Sequence, residues 1–123
     1  MNVYAKYQQS KEDYLESILL LSKRQPAVHR VDVARDLGVS EAAVNKAVKS
    51  LIEKRYLIEE GKHLKLTAEG EAYANKVFEK HCIIKEFLLS LGVSEQTAEE
   101  DACHTEHLLS DETVEAMKAR LHQ

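Results

Sequence analysis

The chain has 123 residues and a formal net charge of −4, with 44% apolar residues, one proline and four glycines. That length allows one compact domain, or two small ones, with a real core, and the scarcity of proline and glycine favours helices over sheets. No apolar run approaches the roughly 20 residues needed to cross a bilayer, and residues 1–9 are polar rather than signal-like.

Two cysteines without secretory features imply a reducing compartment, so a cytoplasmic chain with no membrane partner is expected. The charge is unevenly spread. Residues 1–66 hold 12 Lys/Arg and 9 Asp/Glu, net +3, whereas residues 67–123 hold 5 and 12, net −7. The first part suits phosphates and the second suits cations.

Ser10-Lys11-Glu12-Asp13 has the form of an N-cap followed by an acid three residues on, and Tyr14, Leu15, Ile18 and Leu19 continue with helical spacing. Pro26 sets the limit of this first helix. A short helix from about Val31 to Leu37 turns inward Val33, Ala34 and Leu37, and Gly38-Val39-Ser40 supplies a left-handed exit and the next N-cap. The third helix runs from about Glu41 to Arg55 on an apolar stripe of Val44, Ala47, Val48, Leu51 and Ile52. Two short strands around Gly61 read as a β-hairpin.

Thr67 then caps a long helix to about Leu91, with Val77, Phe78, Ile84, Phe87 and Leu88 as its stripe. Ser94 caps a helix from about Glu95 to Leu109, and Ser110 caps a last one carrying Val114, Met117 and Leu121. Those three side chains are expected to bury an interface between two copies of the chain, with a core inside one copy as the alternative. The architecture expected is mainly α: an N-terminal winged helix-turn-helix over residues 1–66, then a purely α-helical domain over residues 67–123.

A short helix, a glycine turn and a longer helix with a basic outer face make a helix-turn-helix, and the hairpin makes it winged. The second helix of such a unit enters the major groove of double-stranded DNA N-terminus first. That places Ser40, Glu41, Ala42, Ala43, Asn45, Lys46 and Lys49 nearest the duplex, with Lys62, His63 and Lys65 on the wing. Ala42 and Ala43 permit close approach, Asn45 suits an adenine edge or a phosphate, and Lys46 and Lys49 suit phosphates.

Cys103, Glu106 and His107 stand at i, i+3 and i+4, so on a helix these three metal ligands share one face. Ligands for one ion usually come from several elements. Asp13 and Glu16 on the first helix and His81 on the long helix are the other candidates. Each has an ordinary alternative: acids complementing a helix dipole, a satisfied half-buried imidazole, and a small core cysteine.

The chain resembles the metal-dependent repressors of the diphtheria toxin repressor and manganese transport regulator family (DtxR/MntR), from about Ser10 to Leu121. The resemblance rests on Glu12-Asp13-Tyr14-Leu15-Glu16-Ser17-Ile18, Asp36-Leu37-Gly38-Val39-Ser40, Tyr56-Leu57-Ile58, Leu66-Thr67-Ala68-Glu69-Gly70, Lys80-His81 and the block from Asp101 to Ser110. It implies that residues 67–123 are an α-helical metal-binding and dimerisation domain, and that the chain forms a homodimer which binds an inverted-repeat operator. It also implies metal ligation by Asp13, Glu16, His81, Cys103, Glu106 and His107.

The chain mixes two branches of that family. Asp13 and Glu16 follow the manganese branch, Cys103 follows the iron branch, and Lys85 replaces the glutamate of the iron branch's ancillary site. The C-terminal SH3-like domain of longer members is not part of this sequence. Thiolate favours softer ions and carboxylates favour Mn(2+) and Fe(2+), so Fe(2+) or Mn(2+) is the expected co-repressor, with Zn(2+) or Co(2+) as binders in vitro. The rival readings are a winged-helix regulator with a structural metal or none, and a zinc hydrolase. The spacing is not His-Glu-x-x-His, which counts against the hydrolase.

Overall fold

A computed structural model describes residues 10–123; residues 1–9, read above as polar and without signal character, lie outside the described residues. The chain is mainly helical with one small antiparallel sheet, and it divides into two units, the first closing at Asn75 and the second formed by Lys76–Gln123.

In the first unit, α1 (Lys11–Arg24) begins at a complete capping box. The Ser10 hydroxyl accepts from the Asp13 amide at 3.3 Å, and Asp13 Oδ2 accepts from the Ser10 amide at 2.9 Å. Tyr14, Leu15, Ile18, Leu19 and Leu21 form its buried face, and Gln25 turns extended just before Pro26. Helix α2 (Arg30–Leu37) ends at Gly38, whose φ of 66° is left-handed. The chain can therefore turn within two residues to Ser40, whose hydroxyl caps α3 (Glu41–Glu53) by accepting from the Ala43 amide.

Val44, Val48 and Leu51 of α3 are buried. This helix closes two residues earlier than its stripe suggests. Arg55 adopts φ 66° and the Tyr56 amide reaches back to the Leu51 carbonyl, so the last turn is closed by a left-handed cap rather than continued.

Strands β1 (Leu57–Glu60) and β2 (His63–Leu66) pair antiparallel, Leu57 opposite Leu66 and Glu60 opposite His63, across a two-residue turn. Leu57 and Leu64 point inward, and the Leu64 amide donates to the Val28 carbonyl at 2.8 Å, tying the wing to the chain ahead of α2. Thr67 then starts α4 (Ala68–Ser90): its hydroxyl accepts from the Gly70 amide at 3.0 Å and donates to the Arg55 carbonyl at 2.7 Å. Gly70 lies so close to Tyr56 that a Cβ there would stand 1.9 Å from the Tyr56 carbonyl oxygen, so no other residue fits.

In the second unit the remainder of α4 packs with α5 (Glu95–Thr105) and α6 (Asp111–Leu121), capped by Ser94 and Ser110. Ile83, Ile84, Ala102 and Val114 form the core, and Leu88, Leu109 and Met117 pack against it. One expectation changes here. Helix α5 ends at Thr105 rather than near Leu109, because Ser110 must be extended to cap α6 and the chain needs the intervening residues to turn. Val114 is buried in the core of its own chain and Met117, partly buried, packs against that core. No helix among the described residues is long and apolar enough to cross a membrane.

Candidate metal centre and nucleic-acid face

His81 is the hub of the second unit's polar cluster. It sits on α4, 6% exposed, with its ring stacked parallel to Phe78 at a centroid distance of 6.3 Å. Nδ1 lies 2.8 Å from Oε2 of Glu106, and Nε2 lies 3.0 Å from Oε1 of Glu99. An imidazole facing carboxylates at both nitrogens must donate from both, so His81 is held as the imidazolium. Its pKa is pushed up to about 11, first by its hydrogen bond with Cys103 and then by Glu106. A cation taking either ring nitrogen displaces a proton.

Helix α5 supplies Glu99 and Cys103 one turn apart. His81, Glu99 and Cys103 each present a ligand atom, all within 4.8 Å of one another. Burial pushes the Glu99 carboxyl up, but Lys85 at 3.0 Å and His81 outweigh it and hold the group below the ordinary glutamate range. Glu106 directly follows α5, is 1% exposed, and keeps helical pairing through its amide to the Ala102 carbonyl. Its Oε1 lies 3.3 Å from Nε2 of His107. Imidazole, thiol and carboxylate donors converging on one point, at the edge of the buried His81 ring, fit a divalent transition-metal ion.

Of the expected ligands, His81, Cys103, Glu106 and His107 are thus linked through His81 and Glu106 in the second unit. Asp13 and Glu16 lie half-buried on α1 of the first unit, where Oδ2 of Asp13 serves the capping box. Glu99 was missed, although its spacing of four from Cys103 is as good a signal as that of His107. His104 is turned elsewhere: its Nδ1 pairs with the Glu100 carbonyl at 2.7 Å.

On the candidate nucleic-acid face, Glu41, Ala42, Asn45, Lys46 and Lys49 are exposed along α3, Ala43 is half-buried, and the Ser40 hydroxyl is engaged as cap. Lys62, His63 and Lys65 are exposed on the wing, with Lys65 3.1 Å from Glu60 and the His63 ring edge-on to His29. Arg30 was not anticipated: it joins Asn45 on α3 to Glu59 on β1.

Residues 6–64 match the family profile described as "Iron dependent repressor, N-terminal DNA binding domain", and residues 67–123 match "Iron dependent repressor, metal binding and dimerisation domain". The chain is 39% identical over 113 residues to an uncharacterised helix-turn-helix transcriptional regulator of Methanocaldococcus jannaschii, covering 89% of this chain and 90% of that one. It is 41% identical over 109 residues to the transcriptional regulator MntR of Escherichia coli O157:H7, covering 87% of this chain and 70% of that protein. Among solved structures, the manganese regulator SloR aligns with a TM-score of 0.85 at 30% identity, over 94% of this chain and 55% of that chain. IdeR of T. acidophilum aligns with a TM-score of 0.82 at 27% identity, over 95% and 56%. The present chain therefore spans little more than half the length of these solved relatives.

Proposed function

Because the chain belongs to the iron-dependent repressor family, a family of transcriptional regulators and not of enzymes, we propose that it represses metal-homeostasis genes with Fe(2+) or Mn(2+) as co-repressor. The observation that carries the choice of signal is the His81 cluster, where imidazole, thiol and carboxylates converge in a chain that also carries a winged helix. The relative SloR, described as a manganese regulator, and the profile named for iron support these two ions equally.

In this reading the ligands are Asp13, Glu16, His81, Cys103, Glu106 and His107. Asp13 and Glu16 come from α1, next in sequence to the DNA-reading elements, and the other four come from the dimerisation half. A bound divalent cation would supply the positive charge that lets these carboxylates share one site. Without that charge these acidic ligands would repel one another, and the two recognition helices of a homodimer would be poorly fixed for two half-sites of an inverted-repeat operator. Ser40, Glu41, Ala42, Ala43, Asn45, Lys46 and Lys49 would face the major groove, with Lys62 and Lys65 on flanking phosphates. Domains of residues 1–66 and 67–123 and a cytoplasmic setting belong to the same reading. The coupling is reciprocal, so operator DNA tightens metal binding by the same factor, typically about 5–150-fold.

The test is DNA affinity by fluorescence anisotropy, anaerobically, with and without Mn(2+), Fe(2+) or Zn(2+), on a duplex selected from random DNA. A gain with Mn(2+) or Fe(2+) that Glu16→Ala abolishes, in a protein still folded and dimeric, is the expected result. Tight binding indifferent to chelator removes metal as the signal, and an unchanged metal response in Glu16→Ala sinks the bridging role.

A further inference from the structure

Glu99 is engaged by two cationic groups at once. Nε2 of His81 lies 3.0 and 3.1 Å from its two carboxylate oxygens, and Nζ of Lys85 lies 3.0 Å from Oε2. Lys85 stands four residues after His81 on α4, so both side chains leave the same face of that helix. The Glu99 carboxylate is also one of the three donors, with His81 and Cys103, whose ligand atoms gather within 4.8 Å. An ammonium and a divalent ion therefore compete for the same carboxylate.

We propose that Glu99 is a ligand of the bound divalent cation and that Lys85 is a tethered competitor which must release it. This deepens the metal-sensing reading and rests on His81 and Cys103 being ligands. The geometry supplies a place for the released ammonium. Glu95, one turn before Glu99 on α5, already lies 3.7 Å from Nζ and is 82% exposed at its side chain. Lys85 can shift one helical turn and keep a carboxylate partner in solvent. A partly exposed ion pair is weak and easily exchanged, whereas a carboxylate beside an imidazole and a thiol offers a divalent ion several bonds together. The competition raises the ion concentration at which the site fills without destroying the site, which suits a sensor that must stay empty at basal metal levels.

The experiment is direct titration of the full chain with Mn(2+), reading free Mn(2+) by electron paramagnetic resonance. The proteins are the native chain, Lys85→Met, Glu99→Gln and the double variant. Lys85 and Glu99 are both solvent-accessible, at 28% and 46% side-chain exposure, so neither substitution opens the core. Lys85→Met should bind Mn(2+) about two- to fivefold more tightly, the span that a partly exposed ion pair covers. Glu99→Gln should bind more weakly, and in its background Lys85→Met should bring no further gain. An equal gain from Lys85→Met with Glu99 already neutralised would overturn the proposal, because the lysine would then act by charge alone. So would unchanged or weaker binding in Lys85→Met. A native chain that takes up no Mn(2+), Fe(2+) or Zn(2+) would defeat the metal-sensing reading itself.

Discussion

Arg30 of α2 donates from Nη1 to the amide oxygen of Asn45 on α3 at 2.8 Å. The same guanidinium holds Glu59 of β1 through Nε at 3.0 Å and Nη2 at 2.8 Å. One side chain thus fixes the recognition helix to the wing. With one lone pair of its oxygen taken by Arg30, Asn45 keeps its NH2 to donate, which matches a phosphate oxygen or a base acceptor.

Arg30→Met should therefore weaken binding to a selected operator by about 0.5–1.5 kcal/mol, the value of one net hydrogen bond, while metal uptake stays unchanged. Anisotropy with the metal-loaded protein measures it. Equal operator affinity in the variant would reduce Arg30 to a surface contact.

The Arg30–Glu59 pair also sets an acid response. Its hydrogen bond from Arg30 holds the Glu59 carboxyl below the ordinary glutamate range, against an opposing push from burial. A depressed carboxyl contributes stability that is complete above its unfolded pKa and is lost as pH falls through the lower folded value. Wing amides between Leu57 and Leu66 should keep their exchange protection down to about pH 4.3 and lose it below. Glu59→Gln should show the loosened wing already at neutral pH. Equal protection in both proteins at neutral pH would mean that the hairpin is held by Leu57 and Leu64 alone.

Gly70→Ala tests the close approach of α4 to Tyr56. The added Cβ meets the Tyr56 carbonyl oxygen, a backbone atom that cannot rotate away. Forcing an extra carbon into such packing costs about 1–3 kcal/mol, against the small gain alanine normally gives a helix. Urea unfolding should show a lower midpoint at an unchanged slope. A midpoint equal to or above the native one would mean that the helix start relaxes freely.

The local chemistry of the chain carries much of this fold. Ser10, Ser40, Thr67, Ser94 and Ser110 each start a helix where a hydroxyl precedes an apolar period, and Gly38 makes the helix-turn-helix turn. Where the chain ends a helix without glycine or proline, sequence is silent. Arg55 takes a left-handed φ that arginine rarely adopts, and His107 to Leu109 leave the helix although nothing in them forbids it. Contacts set by tertiary approach are equally hidden. Arg30 meets partners 15 and 29 residues away. Glu99 differs, since it stands at helical spacing from Cys103. A spacing argument that runs forward from the cysteine to Glu106 and His107 passes over the turn behind it.

Cys103 gives the last test, because it separates soft from hard ions. It is exposed, free of any disulfide, and placed with His81 and Glu99. If its thiolate binds the ion, the Co(2+)-loaded protein should show a thiolate-to-cobalt charge-transfer band in the near ultraviolet that Cys103→Ser lacks. Serine offers a neutral, harder oxygen, so Zn(2+) and Co(2+) should lose more affinity than Mn(2+), which is content with carboxylates and imidazole. The Zn(2+) loss should exceed the about 10–100-fold that removing a mere supporting partner costs. A band that survives in Cys103→Ser, or equal losses for Zn(2+) and Mn(2+), would assign the thiol to holding the His81 ring in place and leave selectivity to the carboxylates.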